Sequence, residues 1–188
     1  MIFVIVPYDI LHVKDGFDCG INELNQYLFR QAGQDVRKNY ATLFVAVENA
    51  TNKVIGYYTL SNASLNLDAV PLASRKKLPK YPEIPAIRLG RLAVDITAQG
   101  QGIGVQLLAD AAVRSVLNVS AWVFMTVDAK DDKACAFYKK LGFQALLDDE
   151  RHLYITRQYL EANFIRAKDG SKKRNRVQKW QATDRLTN

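Results

Sequence analysis

The chain has 188 residues, of which 48% are hydrophobic and 24% are charged, and its formal net charge is +7. These values predict a single domain with its own core, and no run of 18 apolar residues is present to form a membrane span.

The two cysteines, Cys19 and Cys135, are too few for a disulfide framework and fit a reducing cytoplasm. His12 and His152 lie far apart in sequence and show no metal-ligand spacing, so a metal-free site is expected.

The N-terminal third predicts a strand, a helix and a two-stranded meander. Residues 2–6 are apolar and typical of a strand, and Asn22 is expected to cap a helix over residues 23–38. Strands are predicted over residues 42–47 and 54–61, separated by a polar turn.

The next segment, residues 62–85, contains four prolines, which argue against a continuous element. We expect it to be irregular, with a short basic helix over residues 72–78. A central strand is then predicted over residues 88–94.

A glycine-rich turn, Gln-Gly-Gln-Gly-Ile-Gly over residues 99–104, separates this strand from an apolar-periodic helix. Such a turn directs several backbone N–H groups and the positive end of a helix dipole at one point, which favours a phosphate or pyrophosphate. The Gly-Lys-Ser/Thr ending of a P-loop is missing, and the spacing and mid-chain position differ from those of a dinucleotide-binding turn.

A second motif, Ala-Phe-Tyr-Lys-Lys-Leu-Gly-Phe, occupies residues 136–143. It follows a strand predicted over residues 122–127 and ends a helix predicted over residues 131–141, which Gly142 would stop in a left-handed conformation. Two final strands are predicted over residues 143–147 and 152–156.

Together, the glycine turn and this second motif resemble those of the GNAT N-acetyltransferase superfamily, and the likeness extends over residues 4–159. It implies the GNAT α/β fold, a mostly antiparallel mixed sheet flanked by helices, and acetyl-CoA as cosubstrate. Tyr138 matches the tyrosine that faces the thioester sulfur, where a phenol can protonate the departing thiolate. The cofactor-binding positions implied by the resemblance are Leu92, Ala93, Val94, Gln99, Gly100, Gln101, Gly102, Ile103, Gly104 and Val105.

Three further stretches, residues 17–28, 54–61 and 84–95, look like those of GNAT toxins from bacterial toxin–antitoxin pairs. This branch acetylates the α-amine of aminoacyl-tRNA, stops translation and is neutralised by a ribbon-helix-helix antitoxin. Basic residues would meet the tRNA phosphates. The candidates are Arg88 and Arg91 near the active face, and Arg75, Lys76 and Lys77 in the segment predicted to be irregular.

Two alternatives remain at this stage. One is a GNAT enzyme that acetylates a small amine or a protein N-terminus, and the other is a domain that binds CoA without catalysis. The predicted domain covers residues 1–160, and residues 161–188 form a basic extension that could bind RNA, dock an antitoxin or have no role. A homodimer is compatible with the family but has no identifiable interface residues.

Overall fold

The computed structural model describes residues 2–76 and 78–165. Lys77 and the basic residues from 166 onward, both part of the sequence predictions, lie outside this range. No helix within the described residues is long and apolar enough to span a membrane.

Within the described residues, one mixed sheet of seven strands, in the order β1-β2-β3-β4-β5-β7-β6, organises the fold. All neighbouring strands are antiparallel except β4 and β5, which are parallel. The strands are β1 (Phe3–Pro7), β2 (Thr42–Glu48), β3 (Val54–Asn66), β4 (Glu83–Val94), β5 (Phe124–Asp128), β6 (Gln144–Ala145) and β7 (His152–Thr156). The helices are α1 (Asn22–Gln26), α2 (Ala32–Arg37), α3 (Leu72–Arg75), α4 (Ile103–Leu117), α5 (Asp132–Lys140) and α6 (Arg157–Leu160). This architecture confirms the predicted fold class.

The first predicted helix is interrupted. A π-helical turn, Tyr27–Gln31, separates α1 from α2. The expected cap at Asn22 is wrong, because Asn22 lies inside α1 and the preceding Ile21 provides no side-chain cap. Asn25 holds this end instead: its side chain accepts a hydrogen bond from the Cys19 N–H at 2.9 Å.

The prediction of an irregular segment over residues 62–85 is also partly wrong. β3 continues to Asn66 and β4 begins at Glu83, so the two strands pair down to Asn66 opposite Glu83. Burial explains the extension, since Leu65 and Ile84 belong to an apolar cluster that the paired strands create. Pro85 is tolerated within β4, and its carbonyl accepts a hydrogen bond from the Val123 N–H at 2.9 Å.

Two apolar layers cover opposite faces of the sheet. Leu107 and Leu108 of α4 and Tyr138 of α5 belong to the larger core, against one face. Tyr27 and Leu28 of the π-helical turn pack against the other face. A ligand that lies between two strands of the sheet would therefore contact residues on both of its faces.

The chain stays folded past residue 160. A second π-helical turn, Glu161–Ile165, follows α6, and Phe164 packs against the larger core. The first five residues of the predicted extension are thus part of the described fold, while the division at residue 160 stays a prediction.

Candidate active site

A fork between β4 and β5 is the central feature of the site. Their parallel pairing is short and ends at Arg88 opposite Thr126. β4 nevertheless continues to Val94, paired on its other side with β3, and β5 continues to Asp128, paired with β7. Beyond Arg88, the edge of β4 that faces β5 therefore has backbone groups that pair with no strand among the described residues, and an amide-containing ligand could add to it. Leu92, Ala93 and Val94 lie on this part of β4.

The glycine turn leads from the end of β4 into α4. Gly100 and Gly102 have φ angles of +76° and +77°, and a Cβ built on either residue would meet no heavy atom within 4 Å. Gly102 is the N-cap of α4 and provides no side-chain cap, so the first N–H groups of this 15-residue helix remain available. A bare, positively polarised cradle of this kind fits a pyrophosphate.

Gln99 has a structural role that its place in the motif did not reveal. Its side-chain Nε2 donates hydrogen bonds to the carbonyl oxygens of Val94 at 2.9 Å and Cys19 at 3.1 Å. Gln101 similarly donates from Nε2 to the Thr97 carbonyl at 3.2 Å. Both glutamines therefore hold the turn by their side chains, and only their backbones are free to meet a phosphate.

Sequence analysis missed a buried carboxylate beneath this turn. Asp95 is only 2% exposed and accepts hydrogen bonds from the backbone N–H groups of Asp18 and Thr97 and from the Thr97 hydroxyl. Burial alone would raise the pKa of Asp95, but these hydrogen bonds outweigh burial and lower it. The ionised carboxylate ties the loop before α1 to the start of the glycine turn.

Tyr138 lies on α5 and is 5% exposed. Its ring contacts those of Phe137 and Phe143, with centroid separations of 5.2 and 5.3 Å. Burial raises the pKa of its phenol, which therefore remains protonated at neutral pH, as an acid requires. Gly142 ends α5 as predicted: its φ is +100°, and the next N–H, that of Phe143, donates to the Tyr138 carbonyl.

The basic candidates occupy different surroundings. Arg88 is half-exposed at the last β4–β5 pair, with its Nε 4.0 Å from Asp128 Oδ2. Arg91 lies with its guanidinium carbon 3.6 Å from the ring centre of Tyr27, on the sheet face opposite α4. Arg75 pairs with Asp68 at 2.7 Å, whereas Lys76 is exposed.

Cross-strand pairing also makes a cluster that no sequence spacing indicated. His152 on β7 lies opposite Asp128 on β5 and close to Asp148 in the preceding loop. In sequence, Asp148 and His152 are four residues apart, but α5 and β6 separate both from Asp128, so only the strand register reveals that Asp128 lies beside them.

A fork that can admit an extended amide chain, an adjoining pyrophosphate cradle and a buried phenol together describe an acyl-CoA-dependent transferase. Comparison with known proteins agrees: residues 39–145 match the family described as acetyltransferase (GNAT) domain. The chain belongs to the GNAT acetyltransferase family, whose cosubstrate is acetyl-CoA.

One relative of known sequence and two solved structures show which GNAT proteins this chain is similar to. A protein of Mycobacterium tuberculosis named tRNA-acetylating toxin is 32% identical over 141 residues, which cover 74% of this chain and 82% of the relative. The structure of AtaT complexed with acetyl-methionyl-tRNAfMet is 32% identical, with a TM-score of 0.79, and covers 86% of this chain and 99% of AtaT. A crystal structure of a tyrosine-to-phenylalanine mutant of KacT is 31% identical, with a TM-score of 0.77 and the same coverages.

Proposed function

We propose that this chain transfers the acetyl group of acetyl-CoA to the α-amine of an aminoacyl-tRNA and so acts as a toxin that stops translation. The observation that carries the proposal is the fork: the free edge of β4 leads into the glycine turn, and Tyr138 belongs to the apolar core against which Leu92 and Val94 of β4 pack. The similarity to a tRNA-acetylating toxin and to AtaT in complex with acetyl-methionyl-tRNAfMet supports this acceptor.

In this proposal, residues of β4 and the glycine turn bind acetyl-CoA, and Tyr138 transfers a proton. Bound acetyl-CoA supplies the thioester, its pantetheine amides pair with Leu92, Ala93 and Val94, and its pyrophosphate meets the N–H groups of residues 101–105. The buried Tyr138 phenol gives its proton to the departing thiolate. An aminoacyl ester has a less basic amine than a lysine side chain, so positioning in the fork contributes much of the rate.

The tRNA would reach the fork across basic surface. Arg88 and Arg91 lie on strand β4 at and beyond the last β4–β5 pair, where phosphates of the acceptor end can meet them. Lys76 adds an exposed charge after α3, and Arg75 holds Asp68 rather than pointing a free charge at a ligand. Lys77 stays a prediction from the sequence.

The expected protein partner is an antitoxin of the ribbon-helix-helix type, acting in the cytoplasm. A structure of mutant AtaT bound to the C-terminus of the antitoxin AtaR is 29% identical to this chain, with a TM-score of 0.72. If the proposal holds, expression of this chain alone arrests growth, and co-expression of its antitoxin restores it. Continued translation in cells that contain active wild-type protein would refute the toxin role.

The direct test is transfer of radiolabelled acetyl from acetyl-CoA to total aminoacylated tRNA. Deacylated tRNA is the control for the acceptor, and a Tyr138→Phe variant is the control for the enzyme. Label on charged tRNA alone supports the proposal. Absence of label, with acetyl-CoA still bound, would contradict it and direct the search to small amines or protein N-termini.

A further inference from the structure

Three titratable side chains meet beside the fork, one at the end of β5 and two at the start of β7 and in the loop before it; we call Asp128, Asp148 and His152 the histidine cluster. The imidazole Nδ1 of His152 lies 3.3 Å from Asp148 Oδ2, within hydrogen-bond range. Its Nε2 lies 3.8 Å from Asp128 Oδ1, beyond that range. The side chain of His152 is 20% exposed, whereas that of Asp128 is 64% exposed.

The cluster opens on a defined face of the sheet. Arg88 pairs with Thr126, and Asp128, two residues further along β5, pairs with His152, so these side chains project to the same face. Met125 and Val127, which alternate with Thr126 and Asp128 along β5, project to the other face, into the core that α4 and α5 also form. The histidine cluster therefore lies across the sheet from the helix that carries the pyrophosphate cradle.

This placement decides which substrate could reach the cluster. With the cradle and α4 on one side, an acceptor amine must approach a thioester in the fork from the opposite side. Asp128 stands there, only two residues beyond the last β4–β5 pair. A carboxylate at this point would attract a protonated amine, while the nearby Arg88 and Arg91 would attract phosphates.

We propose that Asp128 binds the α-ammonium group of the acceptor and that His152 accepts its proton. The inference rests on the proposed function and deepens it. When Nδ1–H donates to Asp148, Nε2 retains its lone pair and faces Asp128. The 3.8 Å gap between Nε2 and Asp128 Oδ1 is too wide for a direct hydrogen bond, and it leaves both atoms available to an ammonium group.

In the proposed acetyl transfer, each proton and each bond has a defined destination. The ammonium nitrogen gives one proton to His152 Nε2, and its freed lone pair forms the bond to the acetyl carbon. The carbon–sulfur bond breaks, and the Tyr138 hydroxyl protonates sulfur. The nitrogen loses a second proton to solvent, from which the phenol regains its own. His152 finally releases its proton to solvent, so the net products are an amide, a thiol and one proton.

Two carboxylates face His152, that of Asp128 on β5 and that of Asp148 in the loop before β7, and the Arg88 Nε on β4 lies 4.0 Å from the Asp128 carboxylate. The adjacent Arg151 is occupied with Asp132, at 2.8 Å. A difference in pH profile between the wild type and the His152→Gln variant is therefore interpreted with Asp128 and Asp148 as the neighbouring carboxylates.

The experiment compares His152→Gln with His12→Gln, which removes the only other histidine of the chain, in a loop before α1. Initial rates of acetyl transfer to aminoacyl-tRNA are measured from pH 6 to 9, together with the Kd of acetyl-CoA. We expect His152→Gln to lower kcat/KM about 100-fold at pH 6.5. The loss should shrink toward pH 9, because an α-amino group with a pKa of about 8 is neutral there without help. His12→Gln should match the wild type, and acetyl-CoA should bind equally well to all three proteins.

A loss in His152→Gln that is constant across pH, or no loss, would overturn the proposal. Asp128→Asn provides a second variant that changes no core residue, and it should raise KM for aminoacyl-tRNA at least tenfold with an unchanged Kd for acetyl-CoA. An unchanged KM would refute the ammonium site. A wild-type protein that does not acetylate aminoacyl-tRNA at all would instead refute the proposed function, and the acceptor named here with it.

Discussion

Phe137 on α5 packs directly against Gly104 in the first turn of α4: a Cβ built on Gly104 would lie 3.4 Å from Phe137 Cζ. This contact joins α4, which follows the glycine turn, to α5, which carries Tyr138. Because Tyr138 follows Phe137 directly, a change in helix spacing would move the phenol relative to the cofactor. If acetyl-CoA binds at the glycine turn as proposed, the contact would link its binding to the position of the phenol.

The effect of a substitution at Gly104 on acetyl-CoA affinity and stability should grow with the size of the new side chain. Alanine fits at ordinary contact distance and favours a helix, so Gly104→Ala should keep acetyl-CoA affinity and stability, or add up to about 1 kcal/mol to the latter. Gly104→Leu would force Phe137 aside and cost about 1–3 kcal/mol of stability. Calorimetric titration with acetyl-CoA should show at least tenfold weaker binding for the leucine variant alone. Equal affinities for both variants would show that the spacing does not matter.

Gly102→Glu should weaken acetyl-CoA binding at least tenfold. Gly102 has a φ of +77°, which costs an L-residue about 1–2 kcal/mol, and a carboxylate would stand where the pyrophosphate is expected. Val119→Glu adds the same charge at a fully exposed position after α4 and is the matched control. A Kd shared by both variants would place the pyrophosphate elsewhere.

Tyr138→Phe should bind acetyl-CoA normally and lose about 100-fold or more of the transfer rate, because it removes the proposed acid and keeps the ring contacts. Tyr40→Phe, at a position that is 72% exposed, is the control. Since burial raises the pKa of Tyr138, we also expect no loss of wild-type activity between pH 7 and 9 from its ionisation. Full activity of the phenylalanine variant would eliminate Tyr138 as the acid.

Asp95→Asn should destabilise the fold by about 1–3 kcal/mol at pH 7, because the amide cannot accept all the hydrogen bonds of the buried carboxylate. The folded-state pKa of Asp95 is lowered, so its stabilisation is present above the ordinary carboxyl pKa of about 3.9 and is lost as the pH falls through the folded value. Urea unfolding of both proteins from pH 7 to 3 should show the difference shrinking only below about pH 4. Asp68→Asn, at an exposed carboxylate, should show little difference at any pH. A gap between wild type and Asp95→Asn that does not shrink at all between pH 4 and pH 3 would argue against the ionised carboxylate as its source.

Local sequence patterns were enough to predict those features of the candidate site that depend only on residues close together in the chain. The glycine turn and the Ala-Phe-Tyr motif each occupy fewer than ten consecutive residues, and their spacing is legible without a partner. Gly142 was predicted correctly as a helix stop for the same reason. The Asn22 cap failed because the helix begins one residue earlier: Asn22 is its first residue, and the N–H groups of Leu24 and Asn25 donate to the Ile21 carbonyl.

The sequence by itself therefore determined the order of strands and helices, the glycine-rich turn before α4 and the helix that carries Tyr138, since all of these follow from short-range periodicity and backbone preference. The tertiary structure alone decided how far β3 and β4 extend, how Asp95 holds the loop at Asp18, and how His152 meets Asp128. Each of these depends on strand register or on burial between residues far apart in the chain. Such contacts are selected by the packing of the whole domain, which no local window of sequence contains.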